Sequence, residues 1–526
     1  MFIDLANDKV GASVRTDVAI VGAGPAGLTL ARRLEARGHD VLVIESGSFA
    51  YSDAAQELNS GEDAGHRDGY LRASRIRAFG GTSFHWGGWC APLDQADFEQ
   101  RNWIRHSGWP ISPADLAPHY AEATEICELN DRHFSTEKWS AERAQPVLQW
   151  KEEDFGTTYF QLSPPTRFGT KYRDAVQAST RITTLLNATV TAVQLDPGGG
   201  SCKALAVRGP DGKPFQIQAR RYVLACGGIE NARLLLISTD VHRNGVGNAR
   251  DLVGRFFMDH PAFTSGAMVP VDPKLNVDLY VYDSHPKLRG FGTITPSREL
   301  MRKLAAANFN VELIPHFEGV GNSFNELKKD YWTLAHRAKR GELLDDFGSN
   351  VSTFFSMLGN GAAYAWSSVL NRDRQLQFAD LRHHLECSPN AESRVTLARD
   401  RKDRFGNPVP RLDWRVNAGD VEGWLRCQEA LALAFGKSHL GRMRLDFDSS
   451  KPIEALKIES SWHHMGTTRM HSDPKQGVVD ENCRVHGVSN LYIAGSSVFP
   501  TSGHANPTLT IVALALRLGD HLGRKD

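Results

Sequence analysis

Toward the end of the chain two histidines stand side by side, His463 and His464, ahead of a glycine turn at Gly466; a third, His504, stands just before Asn506-Pro507 at the head of an apolar run. A neutral imidazole titrates near working pH, so residues of this kind are the ordinary means of taking a proton from a hydroxyl. Neighbouring side chains diverge on a helix or a strand, and no carboxylate or cysteine stands at ligand spacing, so no metal pair is expected. Nearer the start, residues 77–89 set Gly80, Gly81, Thr82 and Ser83 beside His85, Trp86 and further glycines and aromatics. Glycine lets backbone approach a flat ligand closely and adopt dihedrals other residues avoid.

Such groups must be positioned by something, and the strongest positioning signal is at 17–45. An apolar strand at 18–21 runs into Gly22-x-Gly24-x-x-Gly27, then a helix rich in Ala, Leu and Arg, then a second apolar strand ending at Glu45. Gly22 permits the tight turn, Gly24 lets backbone approach a pyrophosphate, and Gly27 lets helix and strand pack closely. The helix N-terminus offers free N–H groups and a positive dipole end to phosphate. Glu45 falls about twenty residues after the glycines, where an acid takes ribose hydroxyls and disfavours a 2′-phosphate.

With 526 residues, two domains are expected. Lys plus Arg and Asp plus Glu are both 61, so no global field favours nucleic acid or an anionic membrane, and a small neutral or weakly charged substrate fits better. The longest apolar run near the C-terminus is too short for a membrane span, and no signal-peptide pattern precedes Asp17. A cytoplasmic protein is expected, the alternative being a periplasmic one exported through a partner subunit. The 7 cysteines are scattered without C-x-x-C spacing, which indicates neither a disulfide frame nor a metal or cluster site. Cys226, in an apolar setting with no adjacent base, reads as a small core residue.

Further along, Ser112-Pro113 begins a helix. Residues 185–193 alternate as one strand, glycines at 198–200 turn it back into 204–207, and Asp211-Gly212 closes a second hairpin. A buried strand at 221–226 returns to the first sheet. Residues 290–295 and 308–314, with a hairpin pairing 392–397 and 408–414 through Gly406, read as an antiparallel sheet forming the roof of the site. The stretch 324–381 reads as a largely helical insertion, and 421–435 as a structural helix.

These residues resemble those of the glucose–methanol–choline (GMC) family of FAD oxidoreductases. The likeness rests on the opening glycine fingerprint, Gly80-Gly81-Thr82-Ser83, Trp86, the histidines before Gly466-Thr467, and Asn506-Pro507 at the last helix. Ser83-Phe84-His85-Trp86 is also similar to the Ser-Thr-His-Trp of pyranose oxidases, whose histidine is bonded to the flavin 8α-methyl; relatives with a similar His-Trp hold FAD without that bond, and both states remain open for His85. The resemblance implies His463 as catalytic base, since the family's histidine precedes the Gly-Thr pair by three positions, with Asn506 as its partner and His464 orienting the loop. His504 is the reserve base. It also implies that Val190 supports the adenine through its backbone, that Ala225 passes near the pyrophosphate, and that Gly495, Pro507 and Thr508 face the flavin.

The expected architecture is α/β: a Rossmann-like FAD-binding domain from 1–92, 182–260 and 451–526, and a second α+β substrate domain from 93–181 and 261–450 built on an antiparallel sheet. The implied activity is oxidation of a secondary hydroxyl of a sugar or glycoside, at C3 or C2, with electrons passing to oxygen or another redox acceptor. Alternatives are a non-sugar alcohol, a non-redox FAD lyase, or the flavoprotein subunit of a larger sugar dehydrogenase; a small subunit or a homo-oligomer is compatible with any of these.

Overall fold

The computed structural model describes residues 1–8, 10–65, 69–282, 285, 287–318, 375–446 and 458–524. The first sheet has a parallel centre. Phe2–Asp4, Ile182–Leu186, Val41–Ile44, Ser13–Val21 and Pro214–Leu224 lie side by side in that order, and Leu491–Ile493 runs parallel to the last part of Pro214–Leu224. Cys202–Arg208 and Thr189–Leu195 extend one edge in antiparallel fashion. At the middle of the sheet, over 18–21, 41–44 and 222–224, the strands are uninterrupted apolar runs because both faces are covered. Register aligns Val21 with both Ile44 and Leu224, and Leu224 with Ile493, so four strands end at one edge. The turns carrying Gly22, Glu45, Ala225 and Gly495 therefore leave the sheet together.

The single strand expected at 185–193 is two. Asn187 takes a left-handed φ of 55°, and the chain leaves the strand next to one edge of the sheet there to begin another strand at the opposite edge. Asn and Gly are the residues that tolerate such a break. Helices Pro25–Ala36 and Thr508–Leu522 pack against each other, tied by Arg33 and Arg37 to Asp520 at 2.7 and 2.6 Å. Helix Pro113–Ile126, with a Ser112/Asp115 capping box, packs on Thr508–Leu522, so this part of 93–181 belongs with the first sheet rather than with the second.

The second sheet is antiparallel, in the order Gly441–Leu445, Pro261–Pro270, Leu376–Leu385, Phe309–Phe317, Gly290–Pro296, Phe155–Leu162 and Trp89–Cys90. Phe309, Val311 and Leu313 share a core with Trp424, Cys427 and Leu431 of helix Ala418–Lys437. The alternate positions face the other way, and Asn310 reaches the carbonyl of His504 at 3.2 Å. The hairpin at 394–413 forms, with Arg394 opposite Asp413, but joins Glu62–Asp63 in a separate three-stranded sheet instead of the roof. Most of the insertion expected at 324–381 lies outside the described residues, which resume at 375, and 376–381 belongs to a strand rather than a helix. Among the described residues no helix is long and apolar enough to cross a membrane.

Candidate active site

One cavity opens at the edge where the strands of the first sheet end. Gly22, Gly24, Glu45, Thr82, Ser83, His85, Trp86, Val190, Ala225, Gly495, Pro507 and Thr508 line it, as do His463, His464 and Asn506. Two glycines of these motifs lie behind the wall: Gly27, read as the close-packing glycine, and Gly80, which was expected along the flat ligand. A Cβ on Gly27 would stand 1.9 Å from the Gly22 carbonyl oxygen, and one on Gly80, at a φ of 108°, would stand 2.6 Å from the Gly169 nitrogen. They allow the wall to be built. Gly24 differs: a Cβ there would meet no protein atom closer than 4.0 Å, because the turn faces the cavity.

At one end of the cavity the Glu45 carboxylate is buried and accepts hydrogen bonds from the Ala23 and Gly47 N–H groups at 3.0 and 2.9 Å. Burial raises its pKa against those bonds and the nearby Arg77. Arg75 and Arg77, which the sequence reading passed over, also line the wall and pair with Glu230 at 3.3 and 3.0 Å. Burial pushes Glu230 up, but Arg77, Arg233 and Arg75 outweigh it and hold the carboxyl well below the usual range. The helices beginning after Gly24 and Pro507 have no side-chain cap, which leaves first-turn N–H groups for an anion or a carbonyl edge.

At the other end, two distant segments meet. Met258 and Met465 exchange backbone hydrogen bonds at 3.0 and 2.9 Å, and Pro261 lies opposite Ser460 in an antiparallel pair. The 461–464 side of this ladder holds two more residues than the 259–260 side, so it bulges, with Trp462 at a left-handed φ of 62°. Bulges beside active sites re-aim side chains in this way. The buried Asp259 carboxylate fills the bulge. It accepts the N–H groups of His260 (2.7 Å), His463 (2.8 Å) and Trp462 (3.2 Å) and the Tyr70 hydroxyl (2.6 Å). Burial nevertheless pushes Asp259 up to about 6. His464 Nε2 lies 3.0 Å from the Tyr70 hydroxyl, an orienting contact that holds the same loop.

The His463 ring is bracketed by two partners. Its Nδ1 is 3.0 Å from His260 Nδ1, and its Nε2 is 3.4 Å from Asn506 Nδ2. Burial first, and then the neighbouring histidines 260, 384 and 464, hold His463 well below the ordinary imidazole range, so it is neutral at working pH. His504, the reserve base, is not on the cavity wall. Its ring is buried and faces Asp94 at 3.0 Å, a pairing that raises its pKa although burial opposes it. Asp259 and His260 were missed by sequence reasoning; the signal was an Asp-His pair following the apolar run Phe256-Phe257-Met258, where a charged residue needs partners.

The cavity also has polar atoms in want of a ligand. Ser74 Oγ, Thr189 Oγ1 and Trp86 Nε1 are buried on residues that line it and have no hydrogen-bond partner in the protein. Buried polar groups are rarely left so. With a glycine turn facing open space, two uncapped helix starts and an acid at the end of a strand, the residues fit a dinucleotide with a flat ring system.

A model of FAD-dependent oxidoreductases matches residues 17–243, and the GMC oxidoreductase model matches residues 389–515. The chain thus carries an FAD-dependent oxidoreductase domain and a GMC oxidoreductase C-terminal domain. Its cofactor is accordingly FAD and its reaction class the oxidation of a CH–OH group. Among relatives of this chain, 2-methyl-1,2-propanediol dehydrogenase of Mycolicibacterium austroafricanum is 23% identical over 97% of this chain and 96% of that protein. A C-glycoside 3-oxidase of Arthrobacter globiformis is 34% identical over 24% of this chain and 23% of its own. The solved structure of pyridoxine 4-oxidase from Mesorbium loti superposes with a TM-score of 0.57 at 17% identity, covering 96% of this chain and 99% of that one, which is a likeness of fold. Among the described residues no group of three or more His, Cys, Asp or Glu is arranged to hold a metal ion.

Proposed function

We propose that this GMC oxidoreductase converts a secondary hydroxyl of a sugar or glycoside, at C3 or C2, to the ketone. The observation that carries the reading is a neutral His463 whose Nε2 faces the Asn506 amide across 3.4 Å, both on the wall of the FAD cavity. FAD, when bound, supplies the hydride acceptor. The turn at Gly22 and Gly24, with Arg75 and Arg77, would hold its pyrophosphate, Glu45 its ribose, and Val190 its adenine. Gly495, Pro507 and Thr508, at the uncapped start of the last helix, would hold the carbonyl edge of its ring, where negative charge develops on reduction.

His463 takes the hydroxyl proton at Nε2. Asn506, being neutral, hydrogen-bonds the substrate oxygen without competing for that proton. Asp259 and Tyr70 keep the bulge, and with it the ring, in place before substrate arrives. Support for a sugar comes from the similarity to a C-glycoside 3-oxidase and from the uncharged overall balance. A second reading, oxidation of a non-sugar diol, is favoured by the similarity that runs along nearly the whole chain to a propanediol dehydrogenase.

Anaerobic mixing with glucose, methyl glucoside and 2-methyl-1,2-propanediol tests the reading. Faster flavin bleaching by either sugar supports it, bleaching by the diol alone transfers the assignment to the second reading, and no bleaching by any alcohol removes the redox role. Attachment through His85 is part of the same proposal: its ring lines the cavity 5.2 Å from that of Trp462. After acid precipitation the colour should stay with the wild-type pellet and leave it in His85→Ala, whereas release of free FAD from wild type would make His85 a noncovalent contact.

A further inference from the structure

Between His463 and the second sheet stands His260, a buried imidazole to which the reaction above assigns nothing. Its surroundings decide where its hydrogen is. Nε2 lies 3.4 Å from the Ser502 carbonyl oxygen, with the Gly503 carbonyl beside it. Carbonyls only accept, so Nε2 must donate. Burial, the largest influence, pushes the His260 imidazole down to about 3 despite those carbonyls, so at neutral pH the ring carries a single hydrogen. That hydrogen is on Nε2, and Nδ1 is a bare lone pair.

His260 Nδ1 is 3.0 Å from His463 Nδ1, with the two rings at 83° to each other. Two facing lone pairs would repel at that distance, so one hydrogen must lie between the nitrogens. His260 has none to give there. We propose that His260 is a positioning residue that fixes the tautomer of His463: by accepting the Nδ1–H of His463 it leaves the Nε2 lone pair on the cavity side, toward Asn506. The inference rests on His463 being the base. Free histidine favours its hydrogen on Nε2, the atom that must be bare here, so the protein has to impose the other form.

The choice of partner has a chemical consequence. A carboxylate in this place would also fix the tautomer, but its charge would stabilise the imidazolium and raise the basicity of His463. A neutral imidazole orients without adding charge. The acid that is present, Asp259, is used on the backbone N–H groups of His260, Trp462 and His463 and on the Tyr70 hydroxyl. The shared ladder between 258–261 and 460–465 sets the two rings in register, so the base and its orienting group are carried by one structural unit.

Two substitutions separate this role from simple packing. In His260→Asn the side-chain oxygen can stand near the position of Nδ1 and still accept from His463. In His260→Gln the amide reaches the position of Nε2, keeps the donor to Ser502, and loses the acceptor. Both are prepared as FAD-loaded protein, with thermal midpoints recorded to confirm folding. Nitrogen-15 spectra of histidine-labelled protein, assigned with His463→Gln, should show His463 protonated at Nδ1 in wild type and His260→Asn and shifted toward Nε2 in His260→Gln. Anaerobic reduction by glucose should slow about a hundredfold in His260→Gln, the scale of a lost general base, and less than about tenfold in His260→Asn. A wild-type His463 protonated at Nε2, or a tautomer unchanged in His260→Gln, overturns the proposal. If the tautomers behave as stated but His463→Ala still reduces its flavin at the wild-type rate, the assignment of the base fails and the role of His260 in setting the tautomer stands.

Discussion

The cavity has two ends built by different means. At the nucleotide end, each working group is a backbone turn or a side chain beside one: Gly22 and Gly24 after one strand, Glu45 after the next, Ala225 after a third. The aligned strands place these groups, and close packing, as at Gly27, leaves little room for change. At the catalytic end, Tyr70, Asp259, His260, His463 and Asn506 come from four separate parts of the chain and are held by side-chain hydrogen bonds. The first end depends on backbone packed too closely at Gly27 to admit a side chain, while the second depends on a set of paired donors and acceptors.

That contrast can be broken most forcefully at Gly27. Gly27→Ala drives a methyl into the Gly22 carbonyl, so the protein should be recovered colourless or not at all, while Gly156→Ala, with open space around its Cβ, should remain yellow. Visible absorbance of the purified variants checks this, and a yellow Gly27→Ala would show that the turn yields more than close packing allows. At the other end, Asp259→Asn keeps the volume and removes acceptor capacity. It should stay yellow but reduce its flavin more slowly, by an amount matching the about 1–3 kcal/mol of an unsatisfied buried donor. Wild-type kinetics in that variant would mean that the bulge holds itself.

The smallest expected effect lies in the support beneath the 501–507 loop. Burial, with Asp94 and Glu386 nearby, pushes Asp97 up to about 7 from an ordinary 3.8. A carboxyl raised on folding contributes stability that is present below its unfolded pKa and is lost as pH rises through the folded one. The thermal midpoint of wild type should therefore fall more between about pH 5 and about pH 8 than that of Asp97→Asn. Parallel curves would remove Asp97 from the balance.

The same contrast explains what could be read from the sequence. The nucleotide end was legible because its motif is contiguous in the sequence, strand, glycine turn, helix and second strand following one another. His463 and Asn506 were legible only through family resemblance; spacing alone left His464 and His504 as competitors, and contacts with Tyr70 and Asp94 set those apart. Asp259 and His260 acquire their roles from a pairing with residues some two hundred positions away, which no local pattern announces. Strands Phe155–Leu162, Pro261–Pro270 and Leu376–Leu385 were missed for a related reason. They mix polar and apolar residues, so no clean apolar run marks them, and their partners are remote. The hairpin at 394–413 was legible as a hairpin, since its turn at Gly406 is local, but its sheet was not.

The central claim is that a neutral His463 takes the proton from the substrate hydroxyl, and anaerobic flavin reduction followed against pH in wild type and His463→Ala tests it most directly. Because burial and the neighbouring histidines lower the pKa of His463, the base is in its working form above that lowered value. The wild-type rate should then stay level through the pH where an ordinary histidine would protonate, about 6.5, and fall only in more acidic solution. His463→Ala should keep its FAD and be slower by at least about a hundredfold. A variant that reduces its flavin as fast as wild type, or a wild-type rate that halves near the ordinary histidine pKa, would contradict the account.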